Sequence, residues 1–427
     1  MRKEDNELLV RVGPGTAMGQ VFRSYWSPIA DARQLAEKDS DPLRVRFCGE
    51  NYVAFRDSNG TLGLLDELCP HRGASLALGR VEECGIRCLY HGWKFAADGQ
   101  LLDTPNHGDP NFKKGFKAAS YPIREAGGLI WGYFGLKEKE PAFPDYAFMH
   151  HPVEGMYIFR VDLDCNYLQL LEGGLDSSHV GILHADFARP GWNQGSFTRS
   201  DDPNNPGGLA VDDNAPSLSI ETTTFGFHYA AIRKGAGGGQ SIRVVPFIMP
   251  SGRIIPAPER MATLFEVPID DEHTSTYLVA YGPYSADRAR NYYMSGLDDP
   301  RFWSETDRHW KASWANSFGQ DRAKMRTKES WSGFRGFEPE DGAVALSMGP
   351  IFDRSKEHLV PADGAVVHLR RILLDAARRV QAGDDPLPLP DLSKVAAVAD
   401  TEIPQGARWQ DLAPNNIADI QRRIAAE

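Results

Sequence analysis

The chain has 427 residues, 47 of them basic and 58 acidic for a net charge of −11, with 41% apolar and 25% charged residues. This is the composition of a folded globular protein, long enough for two or three domains, and its acidity removes the basic field that nucleic acid requires. No apolar run reaches the roughly 18–20 residues of a membrane helix, and residues 1–11 lack the apolar core of a signal peptide. A cytoplasmic protein with no membrane or nucleic-acid partner is therefore expected.

Short apolar or alternating runs at 43–47, 52–56, 62–65, 87–90 and 129–134 alternate with turns such as Asn59-Gly60, Asp98-Gly99 and Gly127-Gly128. They predict a small antiparallel β unit over 1–150, with a helical segment at its start. Residues 138–146, with Pro141 and Pro144, read as a linker. The proline-free stretch 166–184 predicts a helix, the runs 222–233, 241–249, 261–267 and 274–281 predict strands, and 287–324 reads as helical. An amphipathic helix is expected over 364–379, a polar loop over 201–214, and a surface tail from 381 to 427, with prolines in 384–392. The fold class is α+β: an N-terminal antiparallel β domain (1–150), then a domain with an antiparallel sheet flanked by helices (151–380).

The five cysteines, Cys48, Cys69, Cys84, Cys88 and Cys165, form no disulfide framework, and three fall within twenty residues. Cys69-Pro70-His71 and Cys88-Leu89-Tyr90-His91 give Cys-x-His, sixteen intervening residues, then Cys-x-x-His. Four such ligands suit tetrahedral zinc, but zinc loops usually pair like with like. One thiolate and one imidazole per loop suits a [2Fe–2S] cluster with Cys₂ on one iron and His₂ on the other. Gly73 and Gly92 permit tight turns, while Arg72, Tyr90 and Trp93 can cover the cluster. Cys48, Cys84 and Cys165 read as small buried apolar residues. The stretch CPHRGASLALGRVEECGIRCLYHGWKF closely resembles the Rieske domain of aromatic-ring-hydroxylating oxygenases, with a zinc-binding, non-oxygenase protein as the distant alternative.

In 166–184, Gln169, Glu172, Asp176 and His179 fall on one helical stripe and Leu168, Leu171 and Leu175 on another. No Lys or Arg occurs between Arg160 and Arg189, so the polar stripe is expected to face inward, where a metal is one economical partner. His179 and His184 lie roughly 140° apart on an ideal helix, so the helix must end or bend between them; Gly181 would allow it. Two imidazoles plus a carboxylate make the triad of a non-haem Fe(II) oxygenase, with positions open for O₂.

The spacing Asp176-x-x-His179-x₄-His184 again resembles the ring-hydroxylating oxygenases. The resemblance places the third iron ligand far downstream on a helix, where Asp321 and Asp341 compete. Asp341 is favoured because the following Ala-Val-x-x-Ser-Met-Gly-Pro matches, although Leu346 stands where a glutamate is frequent; a surface carboxylate or helix cap is the plain alternative for either. It also implies that Asp176 links the mononuclear iron to a Rieske histidine, His91, of the next subunit, or orients His179, the two roles being compatible.

Gly13-Pro14-Gly15-Thr16, Arg322, Trp331-Ser332-Gly333, Ser347-Met348-Gly349-Pro350-Ile351 and the stretch from Asp353 to His358 are similar to the phthalate-dioxygenase branch. This similarity spans roughly residues 1–380. The branch implies a large (alpha) subunit that forms homotrimers or stacked trimers (hexamers) and takes NAD(P)H electrons from a flavin and ferredoxin-type reductase. The implied activity, within aromatic hydrocarbon catabolism, is O₂-dependent hydroxylation of a small aromatic substrate. For an aromatic carboxylate this is cis-dihydroxylation; a monooxygenase performing O-demethylation or ether cleavage is the alternative. Arg233 and Arg243, on the predicted strands 225–233 and 241–249, and Ser177 are the candidate substrate-binding residues, since a guanidinium suits a carboxylate. Each arginine has the plain alternative of pairing with an internal acid. The 201–214 loop is a candidate cover for the pocket, or a passive insertion.

Overall fold

The computed structural model describes residues 1–109, 111–188, 213, 215–235, 238–257, 260–282, 287, 290, 297 and 299–415. They form two compact units, Arg11–Phe143 with Pro268–Asp270, and Met1–Val10 with Pro144–Val267 and Asp271–Glu427. The first helix, α1 (Lys3–Val10), belongs to the second of these and not to the β-rich unit that follows it. Among the described residues no helix is long and apolar enough to cross a membrane.

The β-rich unit opens with α2 (Ala17–Arg23) and holds ten short strands. β1 (Ser27–Asp31) joins β10 (Leu129–Gly132) and β9 (Ile123–Ala126); β2 (Leu43–Phe47), β3 (Glu50–Arg56) and β4 (Leu62–Asp66) form a meander. A third sheet takes β5 (Arg80–Glu82), β6 (Gly85–Arg87), β7 (Lys94–Phe95) and β8 (Leu101–Asp103) in sequence order. All the pairings are antiparallel. Val53, Phe55, Leu65, Leu76, Ile86 and Phe95 build the core on which Cys69 and Cys88 sit. The strand expected over 87–90 stops at Arg87, because the backbone turns at Cys88 to form a loop.

The larger unit is built on an eight-stranded sheet. Its order is β11 (Tyr157–Leu163), β17 (Thr274–Tyr281), β16 (Arg260–Pro268), β15 (Gly252–Ala257), β14 (Gln240–Ile248), β13 (Gly226–Lys234) and β12 (Ser217–Thr222). The eighth strand, β18 (Val398–Ile403), pairs with the first half of β14, and β15 pairs with its end. The segment after 381 therefore contributes a sheet strand, where a surface tail was expected. Strand alternation puts Tyr229, Arg243, Val245, Arg253, Ile255, Ala262, Leu264 and Leu278 on the wall of one cavity.

The helix expected over 166–184 is broken. It runs as α3 (Tyr167–Leu175), capped by Asn166, and stops at Asp176, whose backbone is extended. A separate single turn, α4 (Val180–Leu183), and α5 (Ala185–Ala188) follow. The break thus falls at Asp176, two residues after Gly174 and before His179, and not at Gly181. The described part of 287–324 is mostly turns, with a 3₁₀ stretch at Trp314–Gly319 and left-handed residues at Arg308, Ser317 and Phe318, so one continuous helix is excluded. Then come α6 (Arg322–Thr327), α7 (Phe337–Ser347) and the long amphipathic α8 (Gly364–Gln381). Ala343 and Ala345 of α7 pack with Phe159, Val161, Leu278, Trp303 and Trp310 in the main core. Residues 201–212 and 214 of the predicted loop lie outside the described residues.

Candidate metal centres

Two loops of the β-rich unit share one hydrogen-bond pattern. Cys69 N donates to Ala74 O at 2.8 Å and Gly73 N to Cys69 O at 2.8 Å; Cys88 N donates to Trp93 O at 2.9 Å and Gly92 N to Cys88 O at 3.0 Å. Each loop closes on a glycine at φ +75°, the left-handed region that side chains avoid. Each therefore presents its cysteine and histidine alike, although one motif is Cys-x-His and the other Cys-x-x-His. The His71 and His91 rings meet edge to face at 4.5 Å, and His71 stacks on Trp93 at 4.6 Å.

This donor set fits a two-iron cluster. Both cysteines are free and buried, and burial together with the adjacent Cys88 thiol pushes Cys69 up to about 11. A cation must supply the charge that makes both thiolates. Nδ1 of His91 is buried without a partner, and burial, His71 and Arg72 hold the His91 pKa below the ordinary value, which favours the neutral imidazole a metal would need. Cys84 lies apart, accepting from Asn59 Nδ2 at 3.1 Å.

In the larger unit His179 precedes α4 and His184 ends it, so one helical turn brings their Nε2 atoms to 3.2 Å. Asp341, in the first turns of α7, places Oδ1 at 3.2 Å from His184 Nε2 and 3.7 Å from His179 Nε2. These three residues are the group of ligand-type side chains that converges among the described residues. Asp321 does not join them; it caps α6, accepting from Ala323 N at 3.0 Å and Lys324 N at 3.1 Å.

Carboxylates stand behind both imidazoles. Asp176 Oδ2 lies 3.2 Å from His179 Nδ1 and also accepts from His179 N, while its Oδ1 accepts from Ser178 N and Oγ at 2.8 Å. Burial alone would raise the Asp176 pKa, but these donors bring it down to about 2. Glu340 Oε2 lies 2.5 Å from His184 Nδ1. Each carboxylate thus sits at an Nδ1, leaving both Nε2 atoms turned toward Asp341. A divalent cation would relieve that arrangement, so these residues fit a mononuclear metal. Burial would lower the His184 pKa, yet Asp341 and Glu340 lift it to about 10; that proton occupies the place a metal would take.

The remaining stripe residues have protein partners. Gln169 donates to Ala345 O and Gly349 O and accepts from Phe352 N, clamping the end of α7. Glu172 binds Arg354 and Arg370.

The triad opens on a cavity of about 770 Å³, its open mouth included, walled by the sheet face described above and by Asp176, Ser177, Phe337 and Glu338. Ser177 Oγ and Tyr229 OH are 3.0 Å apart. Arg243 lines the cavity but contacts Asp400 of β18 at 3.3 Å, at the irregularity in the β14–β18 pairing. Arg233 is not in the cavity wall: Nη2 donates to Ser177 O at 2.6 Å and Nε to Asp213 O at 3.0 Å, so it supports the loop after α3. Sequence reasoning missed Arg253, Glu340 and Tyr229. Arg253 donates Nη1 to Glu266 at 2.6 Å, while its buried Nε has no partner. Pro256 interrupts the strand pattern around Arg253, and nothing in the local sequence sets Glu340 apart from its neighbours.

The profile of the Rieske [2Fe-2S] domain matches residues 25–122, and that described as "LigXa C-terminal domain like" matches 132–423. The chain is 36% identical over 395 residues to the phthalate 4,5-dioxygenase oxygenase subunit of Pseudomonas putida, covering 89% of this chain and 87% of that one. It is 29% identical to the 5,5'-dehydrodivanillate O-demethylase oxygenase subunit of Sphingobium sp., covering 90% and 82%. The terminal oxygenase of carbazole 1,9a-dioxygenase from Novosphingobium sp. KA1 superposes with a TM-score of 0.58 at 19% identity, covering 89% of this chain and 98% of that one, a likeness of fold. The zinc alternative falls away with these matches. Fold, both domain matches and the relatives agree: the chain belongs to the Rieske non-haem iron oxygenases, as an oxygenase subunit of the phthalate-dioxygenase branch with a Rieske cluster, a mononuclear iron and O₂ as co-substrate.

Proposed function

We propose that this oxygenase cis-dihydroxylates a small aromatic carboxylate, with electrons reaching it from NAD(P)H through a separate flavin and ferredoxin-type reductase. Cys69, His71, Cys88 and His91 would hold the cluster, and His179, His184 and Asp341 the mononuclear iron, dividing the chain into a Rieske domain and a catalytic domain. When bound, the cluster supplies single electrons and the iron supplies O₂ activation. The chain's own residues bind and orient. Asp176 fixes the His179 ring and is placed to connect it to His91 of the partner subunit, in a trimer or a stack of trimers.

The observation that carries the carboxylate reading is the cavity wall beside the triad. Two buried guanidiniums, Arg243 and Arg253, line it beside their acid partners Asp400 and Glu266, and each has further N–H donors to offer a substrate carboxylate. Tyr229 and Ser177 add hydroxyls on the same wall. Phthalate, named for a relative, is an aromatic dicarboxylate. The O-demethylase relative keeps a second reading in view, hydroxylation of an O-methyl carbon followed by its loss.

The test is a screen of benzoates and phthalates against their methyl esters, using the holoenzyme, a surrogate reductase and ¹⁸O₂. Coupled O₂ uptake with carboxylates alone, and both labelled atoms in the product, is expected. Formaldehyde release with no labelled atom in the aromatic product would select the demethylase reading, and equal turnover of the esters would contradict the carboxylate anchor.

A further inference from the structure

His184 is clamped between two consecutive residues of α7. Glu340 Oε2 stands 2.5 Å from its Nδ1, and Asp341 Oδ1 3.2 Å from its Nε2. Successive residues on a helix diverge by roughly 100°, so the imidazole lies in the angle between them and meets one carboxylate at each nitrogen. Glu340 is 0% exposed. Its other oxygen, Oε1, accepts from Ser332 Oγ, and Ser332 Oγ accepts in turn from Phe334 N at 3.2 Å.

A carboxylate so buried is expensive unless positive charge compensates it. Among the described residues no Lys or Arg forms an ion pair with Glu340; His184 is its ion-pair partner. Its place is therefore matched to His184, whose other ring nitrogen, Nε2, faces His179 and Asp341. The arrangement repeats on the other imidazole, where Asp176 backs His179.

We infer that Glu340 is a positioning residue for the mononuclear metal: its hydrogen bond to Nδ1 fixes the His184 ring and so turns Nε2 toward the ion. Ser332 fixes the Glu340 rotamer, so the 330–334 segment is coupled to the metal through two hydrogen bonds. The inference rests on His179, His184 and Asp341 being the iron ligands. Carboxylates behind metal-bound histidines typically change affinity by about 10–100-fold when removed.

The test compares Glu340→Gln and Glu340→Ala with the wild type. Mild chelation that leaves the visible spectrum of the cluster intact is followed by Fe(II) titration, with bound iron and the dissociation constant as readouts. Wild type should rebind one iron per chain. Glu340→Ala should bind it about 10–100-fold more weakly with an unchanged cluster spectrum. Glu340→Gln, which keeps an acceptor but no charge, should show an intermediate loss. Wild-type affinity in Glu340→Ala would overturn the inference alone. Loss of the cluster spectrum in the isosteric Glu340→Gln would also overturn it, showing that Glu340 supports the fold instead. No third iron in the wild type would overturn the ligand reading and this inference together.

Discussion

Gly174 and Arg253 interlock: a Cβ at position 174 would lie 2.1 Å from Arg253 Nε and 2.3 Å from its Cζ. Glycine in a helix interior costs about 0.5–1 kcal/mol relative to alanine, and here it lets a guanidinium lie against the α3 backbone. Gly174→Ala should therefore displace Arg253 from Glu266 and from the cavity wall. The expected result is a lower melting temperature, despite alanine's better helix propensity, and a KM for a carboxylate substrate raised about tenfold or more, the order of one charge-assisted hydrogen bond. A higher melting temperature with unchanged KM would show that Arg253 is neither displaced nor used.

Asp176 makes four contacts with Ser178 and His179, all as an acceptor. An asparagine keeps one acceptor but turns an amide N–H₂ toward other donors. Asp176→Asn should retain both metals and lose most coupled O₂ consumption, by about 10–100-fold or more. Metal content together with NAD(P)H-coupled uptake decides the matter; normal coupled activity would remove Asp176 from the electron path.

The candidate ligand sets were visible in local spacing, because the two Cys/His loops and the Asp176–His184 segment are short. Such a turn brings its side chains together without help from the rest of the fold. The strands at 43–47 and 274–281 were legible for a similar reason, each being a run bounded by turn residues. What escaped depends on contacts across hundreds of positions. Gln169 and Glu172 read as a stripe suited to a metal, yet their partners are backbone at 345–352 and the arginines Arg354 and Arg370. Helical periodicity continues through Asp176, but the Asx turn made by its carboxylate ends α3 there. Arg243 looked like a substrate anchor, and its counter-charge came from Asp400 on a strand that followed a proline-rich segment and read as tail.

Glu172 anchors the base of the site helix to two buried arginines, and Arg370 also binds Glu357. Burial alone would raise the Glu172 pKa, but Arg354 and Arg370 outweigh it and hold it below the ordinary carboxylate range. With a depressed folded-state pKa, its stabilisation is present above the unfolded value of about 4.3 and is lost as pH falls through the folded one. Glu172→Gln should lower stability at neutral pH by about 3–5 kcal/mol, the usual effect of breaking a buried pair. It should also flatten the acid limb of a melting-temperature profile below about pH 5. An acid limb parallel to that of the wild type would place the titrating group elsewhere.

On the proposed function, two separate ligand sets in one chain hold iron, and Asp341 completes the second. Iron and acid-labile sulfide per chain, measured on anaerobically purified wild type and on Asp341→Ala, test it most directly. About three irons and two sulfides in the wild type should fall to about two irons and two sulfides in the variant, with the dithionite-bleached Rieske spectrum unchanged. Three irons retained in Asp341→Ala would contradict the assignment of Asp341, and zinc without sulfide in the wild type would contradict the account as a whole.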